Sequence, residues 1–286
     1  MRRYLAEFLS DPRVVQLPRL IWLPILHGIV LRTRPAKSAK KYASVWMPEG
    51  SPLAVHTMRQ TQLLRSVLPD FQIEFAMRYG SPTIAERLRI LSKCNRVVVI
   101  PLYPQYSRST TESIRDVVGP DATMVESFHD HPAYIAALAA GVRRHWDARG
   151  RGDKLVMSFH GLPKRAVEQG DPYQAQCAAT AKLLAAALQL EEKDWMLTFQ
   201  SRFGAAEWLQ PYTEPSLRRL AQAGIRRVDV ACPGFVSDCL ETLEEIAIEG
   251  RAAFLDAGGS EFHALPCLNE APEWIEALAK IVETVP

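Results

Sequence analysis

One histidine, His160, stands where a short apolar run meets a tight loop, in Ser158-Phe159-His160-Gly161-Leu162-Pro163. Imidazole titrates near neutrality and ligates late divalent metals, so this position suits metal binding or proton transfer. The plain alternative is a histidine hydrogen-bonded beneath its own loop, although Gly161 and Pro163 fix the backbone sharply after it. His129 and His131 flank Asp130 and read as helix-start capping. His27, His56, His145 and His263 have no evident partner. A second group is acidic. Asp238, Glu241, Glu245 and Glu249 are spaced 3, 4 and 4 residues apart, which places them in one narrow sector of a helix. No lysine or arginine lies within that helix before Arg251. The stripe is either a solvated face or a conduit of carboxylates for protons or a hydrated cation.

The elements that must position these groups alternate. Buried strands are expected at Arg96–Ile100, Lys154–Phe159, Trp195–Phe199 and Arg227–Ala231, with a weaker one at Phe71–Phe75. Helices are expected at Thr57–Val67, Ile84–Leu91, Tyr134–Trp146, Tyr173–Leu188, Ser216–Ala223 and Val236–Glu249. Strand, loop, helix, strand is the rhythm of an α/β fold with parallel sheets covered on both faces. The polar, glycine-rich stretch 147–153 divides two similar blocks, residues 1–150 and 151–286. Two doubly wound lobes with a cleft between them are the expected architecture. Ligands of such sheets bind outside the carboxyl ends of the strands. The exits here are Pro101-Leu102-Tyr103-Pro104-Gln105-Tyr106-Ser107, His160-Gly161-Leu162-Pro163, Gln200-Ser201-Arg202-Phe203-Gly204 and Cys232-Pro233-Gly234-Phe235. Proline, glycine and aromatic rings at every exit suit a flat, largely apolar ligand.

Bulk properties exclude several classes. Net charge is +2, so nothing points to nucleic acid. Five scattered cysteines, Cys94, Cys177, Cys232, Cys239 and Cys267, form neither a CxxC pair nor a disulfide framework, and a reducing, cytoplasmic compartment is expected. No signal peptide is evident at the start. Leu17–Leu31 is apolar but too short to span a bilayer, and Pro18, Arg19, Pro24 and His27 interrupt it. The basic run Arg32, Arg34, Lys37, Lys40 and Lys41 follows. That order fits either a core-facing helix with a solvated end or a peripheral membrane contact.

Taken together, these loops resemble the ferrochelatase family. Tyr103 to Ser107 with Ser109-Thr110-Thr111 is similar to its YPQYS-x-STT motif, and Ser158–Pro163 to S-x-H-G-[LI]-P. Phe199–Gly204 is similar to FQSR-x-G, and Pro233–Leu243 to P-x-F-x-x-D-x-[LI]-E-T-[LI]. Gly50-Ser51-Pro52-Leu53 and Met77-Arg78-Tyr79 also match, and the motifs keep the family's order along nearly the whole chain. The resemblance implies insertion of Fe2+, as substrate, into protoporphyrin IX with release of two protons, the last step of haem synthesis. It implies that His160 and Glu241 bind the iron or take the protons, and that Asp238, Glu245 and Glu249 accompany Glu241 in the acidic track. Arg78, Tyr103 and Tyr106 would line the porphyrin, and Leu17–Leu31 would border the cleft mouth.

Two departures qualify the match. Family members begin with a short strand and a G-T-P or G-G-P loop before the helix that here starts at Arg2, and without it lower stability or activity is expected. Animal members place an iron–sulfur ligand where this chain has Arg108, and no cysteine follows Cys267, so no cluster is expected. The rivals are a chelatase for coproporphyrin or another tetrapyrrole, a non-catalytic two-lobed ligand-binding protein, and a porphyrin- or haem-binding regulator on the same fold.

Overall fold

The computed structural model describes residues 1–120, 122–204 and 206–285. The second half of the chain builds one parallel sheet from β-branched and aromatic runs. Numbering strands along the chain, β1 is Val98–Val99, β2 Thr123–Met124, β3 Lys154–His160, β4 Trp195–Gln200, β5 Arg227–Ala231 and β6 Glu261–Ala264. β1 and β2 pair in parallel, and the other four form a parallel sheet in the order β4-β3-β5-β6. Successive side chains of β3 go to opposite faces. Leu155, Met157 and Phe159 pack with Cys177, Ala181 and Leu184 of the helix Tyr173–Ala187. Val156 packs on the other face with Leu217, Ile246 and Phe254. With both faces covered by helices, the strands are continuously apolar, and this half is doubly wound.

The first half departs from expectation. Only Val98–Val99 of the run Arg96–Ile100 is a strand, and Phe71–Phe75 is none. A strand exists by its ladder rather than its composition, and residues 71–75 find no neighbour among the described residues. Arg65 caps the carbonyl of Ile73 instead. β6 was not expected, because Glu261 and His263 interrupt its apolar pattern.

Three helical segments, Arg2–Ser10, Arg19–Ile25 and Leu31–Val45, the last two joined through a π-helical turn at Leu26–Val30, enclose a small core of Leu5, Leu9, Leu26 and Leu31. Outside it Leu17, Leu20, Ile21, Ile25 and Ile29 stay exposed, Leu20 by 92%. The segment thus faces a core with Leu26 and Leu31 and leaves five apolar side chains outside it. The last helix, Pro272–Glu283, returns to pack on Pro52–Val67 and Pro132–Arg149, with Trp274 fully buried against Phe128 and Tyr134. The end of the chain thus locks onto its first half.

Candidate active site

β3 is central, β4 lies on one side of it and β5 on the other. The connection from β4 to β5 therefore crosses β3, and the chain direction switches between β3 and β5. A crevice opens outside the carboxyl ends at such a point. His160 ends β3, and the segment after β5 leads to Glu241, so the two flank the switch.

Gln200 links them. It is the register partner of His160 on β4. Its Nε2 donates to the carbonyl of Glu241 at 2.7 Å, and its Oε1 accepts from Ser158 at 2.6 Å. Ser158, Thr213 and Thr198 continue this buried chain. A satisfied network of this kind holds one arrangement, because any member displaced would leave a buried polar group unpaired. At His160, Nδ1 lies 2.6 Å from the Gly161 carbonyl. A carbonyl only accepts, so Nδ1 carries the proton and the lone pair of the neutral ring is on Nε2. Gly161 is required there: an added Cβ would stand 2.6 Å from the Gln200 carbonyl oxygen.

The helix bearing the stripe begins later than its composition suggests. Glu241–Gly250 is π-helical and runs into Arg251–Asp256, and residues 236–239 precede it. Asp238 explains the delay. Its carboxylate accepts from Thr242, Asn269 and the Cys267 amide and is only 6% exposed. It anchors the helix start and does not share a wet face with the glutamates. Glu245 does continue from Glu241. It accepts from the amide of Ser201 at 2.7 Å and from the Ser201 hydroxyl. Ser201 holds a left-handed backbone, φ 64°, an uncommon conformation that recurs at functional sites. Burial raises the Glu245 pKa; the Ser201 bonds and the charge of His160 oppose this, and Glu241 adds to it. Glu245 thus feels the charges of both His160 and Glu241.

Glu249 is engaged differently. Lys41, from the helix Leu31–Val45, bonds Glu249 at 2.8 Å and Glu244 at 2.8 Å. The stripe thus has a counterion that no inspection of its own helix could find. Around Glu241 stand three phenols, Tyr4, Tyr42 and Tyr103. Each is raised in pKa first by burial, Tyr42 to about 12, and each also feels the Glu241 charge. They stay protonated donors at neutral pH. Tyr103 keeps 38% exposure and Phe203 41%.

Arg78 approaches Tyr103 closely enough to oppose its raised pKa, and is held by Asp11 at 2.6 Å and by Ser113. Tyr106 lies near Glu112, whose charge adds to burial in raising its pKa. Its loop is tied down by Gln176 on the Tyr106 amide and by Asp171 on Ser107 and the Arg108 amide. Gln105 and Tyr134 clamp the Pro233 carbonyl and so fix the loop before Glu241. Tyr4, Asp11, Tyr42 and Asp171 escape sequence reasoning, since each acts across more than 60 residues and sits in no local pattern; Lys41 is visible there only as part of a basic run, not as a partner of the stripe. Gln200 and Ser201 were visible only as motif letters.

The ferrochelatase family profile matches residues 1–285. Relatives bearing that name include proteins of Azoarcus sp. (strain BH72), 55% identical over 99% of this chain and 82% of the relative, and of Polaromonas sp. (strain JS666 / ATCC BAA-500), 56% identical over 98% and 80%. Among solved structures, a multi-domain protein of Deinococcus radiodurans, described as structurally similar to chelatases, superposes with a TM-score of 0.52. It is 15% identical, and the match covers 79% of this chain and 50% of that one, a likeness of fold. On its profile, its relatives and its fold, the chain belongs to the ferrochelatase family.

Proposed function

We propose that this chain inserts ferrous iron into protoporphyrin IX to give protohaem, with His160 and Glu241 carrying the reaction. The observation that supports this best is the convergence of His160, Glu241 and Glu245 at the switch point, braced by Gln200. Metalation forms four bonds from iron to nitrogen and releases two pyrrole protons. The Nε2 lone pair of His160 can accept one or meet the incoming ion, and the Glu241 carboxylate can do the other. Glu245, whose pKa burial raises, can pass a proton outward. A rigid cleft lined by Tyr103, with Arg78 beside it, would distort the flat macrocycle and expose nitrogen lone pairs, using binding energy realised away from the metal. Coproporphyrin differs at its periphery, so the same core chemistry would serve it.

In this reading residues 1–150 and 151–286 are two lobes, with the macrocycle between them. The exposed side chains of Leu17, Leu20, Ile21, Ile25 and Ile29, followed by the basic run to Lys41, support a peripheral contact with an anionic bilayer from the cytoplasmic side. No helix among the described residues is long and apolar enough to cross a membrane. The test is iron-dependent loss of porphyrin fluorescence with purified protein, comparing protoporphyrin IX and coproporphyrin. Faster turnover of protoporphyrin is expected; preference for coproporphyrin would move the substrate, and no turnover of either would remove the reading.

A further inference from the structure

At the opposite end of the same sheet, three electron-rich atoms converge. Asp229 is the third residue of β5, and its register partners are Leu155 on β3 and His263 on β6, near the amino end of the sheet. His145 reaches in from the helix Pro132–Arg149. His145 Nε2 lies 3.2 Å from His263 Nδ1 and 3.6 Å from Asp229 Oδ1, and His263 Nδ1 lies 3.3 Å from that oxygen.

Asp229 is 1% exposed. Its Oδ2 accepts from Trp146 Nε1 at 2.8 Å and from the Gly152 amide at 2.7 Å, whereas Oδ1 is buried with no hydrogen-bond partner. Such an oxygen calls for a cation or a proton. His263 Nε2 lies 3.0 Å from Glu261, and Arg227 donates to Nδ1 at 3.2 Å. Nε2–H then points to Glu261 and Nδ1 is the accepting nitrogen, whose lone pair Arg227 holds and an ion would have to take from it. Histidine ligands are commonly braced by a carboxylate in this way.

We propose that His145, Asp229 and His263 bind a late divalent transition ion, Zn2+ being the best fit. Ligands held tetrahedrally at the usual zinc distances stand about 3.3 Å apart, and the three separations already cluster there. Two imidazoles and one carboxylate are a zinc donor set with one position left open. An open cleft of about 380 Å³ beside His145 and His263 provides entry and room for that fourth ligand. Arg149 and Arg251 line it, which favours an anion or hydroxide over neutral water at the open position. Arg227 weighs against a cation, since its buried Nε stands 4.0 Å from Asp229 Oδ1 and its Nη2 reaches His263, but Nη2 is also held by the carbonyls of Arg149 and Gly150 and can leave His263 without losing its partners. The ion would staple β5 and β6 to the helix Pro132–Arg149. The site is remote from His160 and does not depend on the chelatase reading.

The test uses Co2+ as a spectroscopic probe in a His160→Ala background, which removes a competing ligand at the cleft. The expected result is one equivalent bound with the intense visible absorption of a tetrahedral site. Adding His263→Ala or His145→Gln should abolish that band and weaken binding at least tenfold, while Arg227→Gln tightens it. Two variants guard against misfolding, each checked by circular dichroism. Should the background protein give no tetrahedral band, or should a folded His263→Ala or His145→Gln protein keep it, the site is a hydrogen-bonded cluster and the proposal is wrong.

Discussion

Lys41 joins two parts of the molecule that the sequence keeps about 200 residues apart, and its removal has a calculable effect. Lys41→Met keeps the methylene stem and deletes the charge. The partner Glu249 is 52% exposed and Lys41 itself 46%, so that half of the contact is a screened surface pair of about 0.2–1 kcal/mol. Glu244 keeps only 10% of its side-chain exposure. Stripping the partner from a fully buried carboxylate costs about 3–5 kcal/mol. Discounted for the half-exposed lysine, the loss here is about 1–2 kcal/mol. The variant should therefore be about 1–3 kcal/mol less stable, or roughly 2–10 °C lower in Tm for a chain of this size. The dependence on pH follows from the lysine. Burial pulls its pKa down, and the bonds to Glu244 and Glu249 more than offset that, so the net shift is upward. A raised lysine stabilises the fold fully below its unfolded value, about 10.4, and the contribution is lost as pH rises through the folded value. Urea unfolding of both proteins at neutral pH and near pH 11, at low and high salt, is the assay. The gap should be present at neutrality, shrink with salt only by the Glu249 share, and narrow at the alkaline end. Equal stability at neutral pH, or a gap that ignores the alkaline step, would refute the clamp.

Other expectations follow from the same geometry. Gly161→Ala should unfold or inactivate the protein, because its Cβ meets the Gln200 carbonyl at 2.6 Å with Trp208 at 3.1 Å on another side; wild-type melting and turnover would contradict the close approach. Glu245→Gln should slow turnover far more than it weakens porphyrin binding, measured by fluorescence titration. Since a raised carboxylate pKa costs stability once pH exceeds its unfolded value, that variant should also be at least as stable as wild type at pH 8, and a clear loss of stability there would reassign Glu245 to structure. Leu20→Glu with Ile29→Glu should abolish sedimentation with anionic vesicles yet leave turnover in detergent intact; unchanged sedimentation would send the membrane contact elsewhere.

Strand exits were the most legible part of the sequence. Short apolar runs at 154–160, 195–200 and 227–231 are mostly buried, so composition marks them, and the exits follow from chain direction. Less legible was anything set by partners. Phe71–Phe75 has strand composition without a ladder. Val236–Cys239 has helix composition, but Asp238 draws Thr242, Asn269 and the Cys267 amide to itself and delays the helix. Within the acidic spacing, Glu245 feels the charge of Glu241. The two ends of that spacing were not legible: Asp238 is an anchor, and Glu249 answers to Lys41 across the fold. Likewise His145 and His263, each solitary in sequence, meet only because β5, β6 and a preceding helix converge.

Iron-dependent porphyrin turnover by His160→Ala, alongside wild type and with folding verified by circular dichroism, bears most directly on the central claim. Loss of turnover with porphyrin still bound would mean that one imidazole at the switch point carries the chemistry. Turnover at the wild-type rate would mean that it does not.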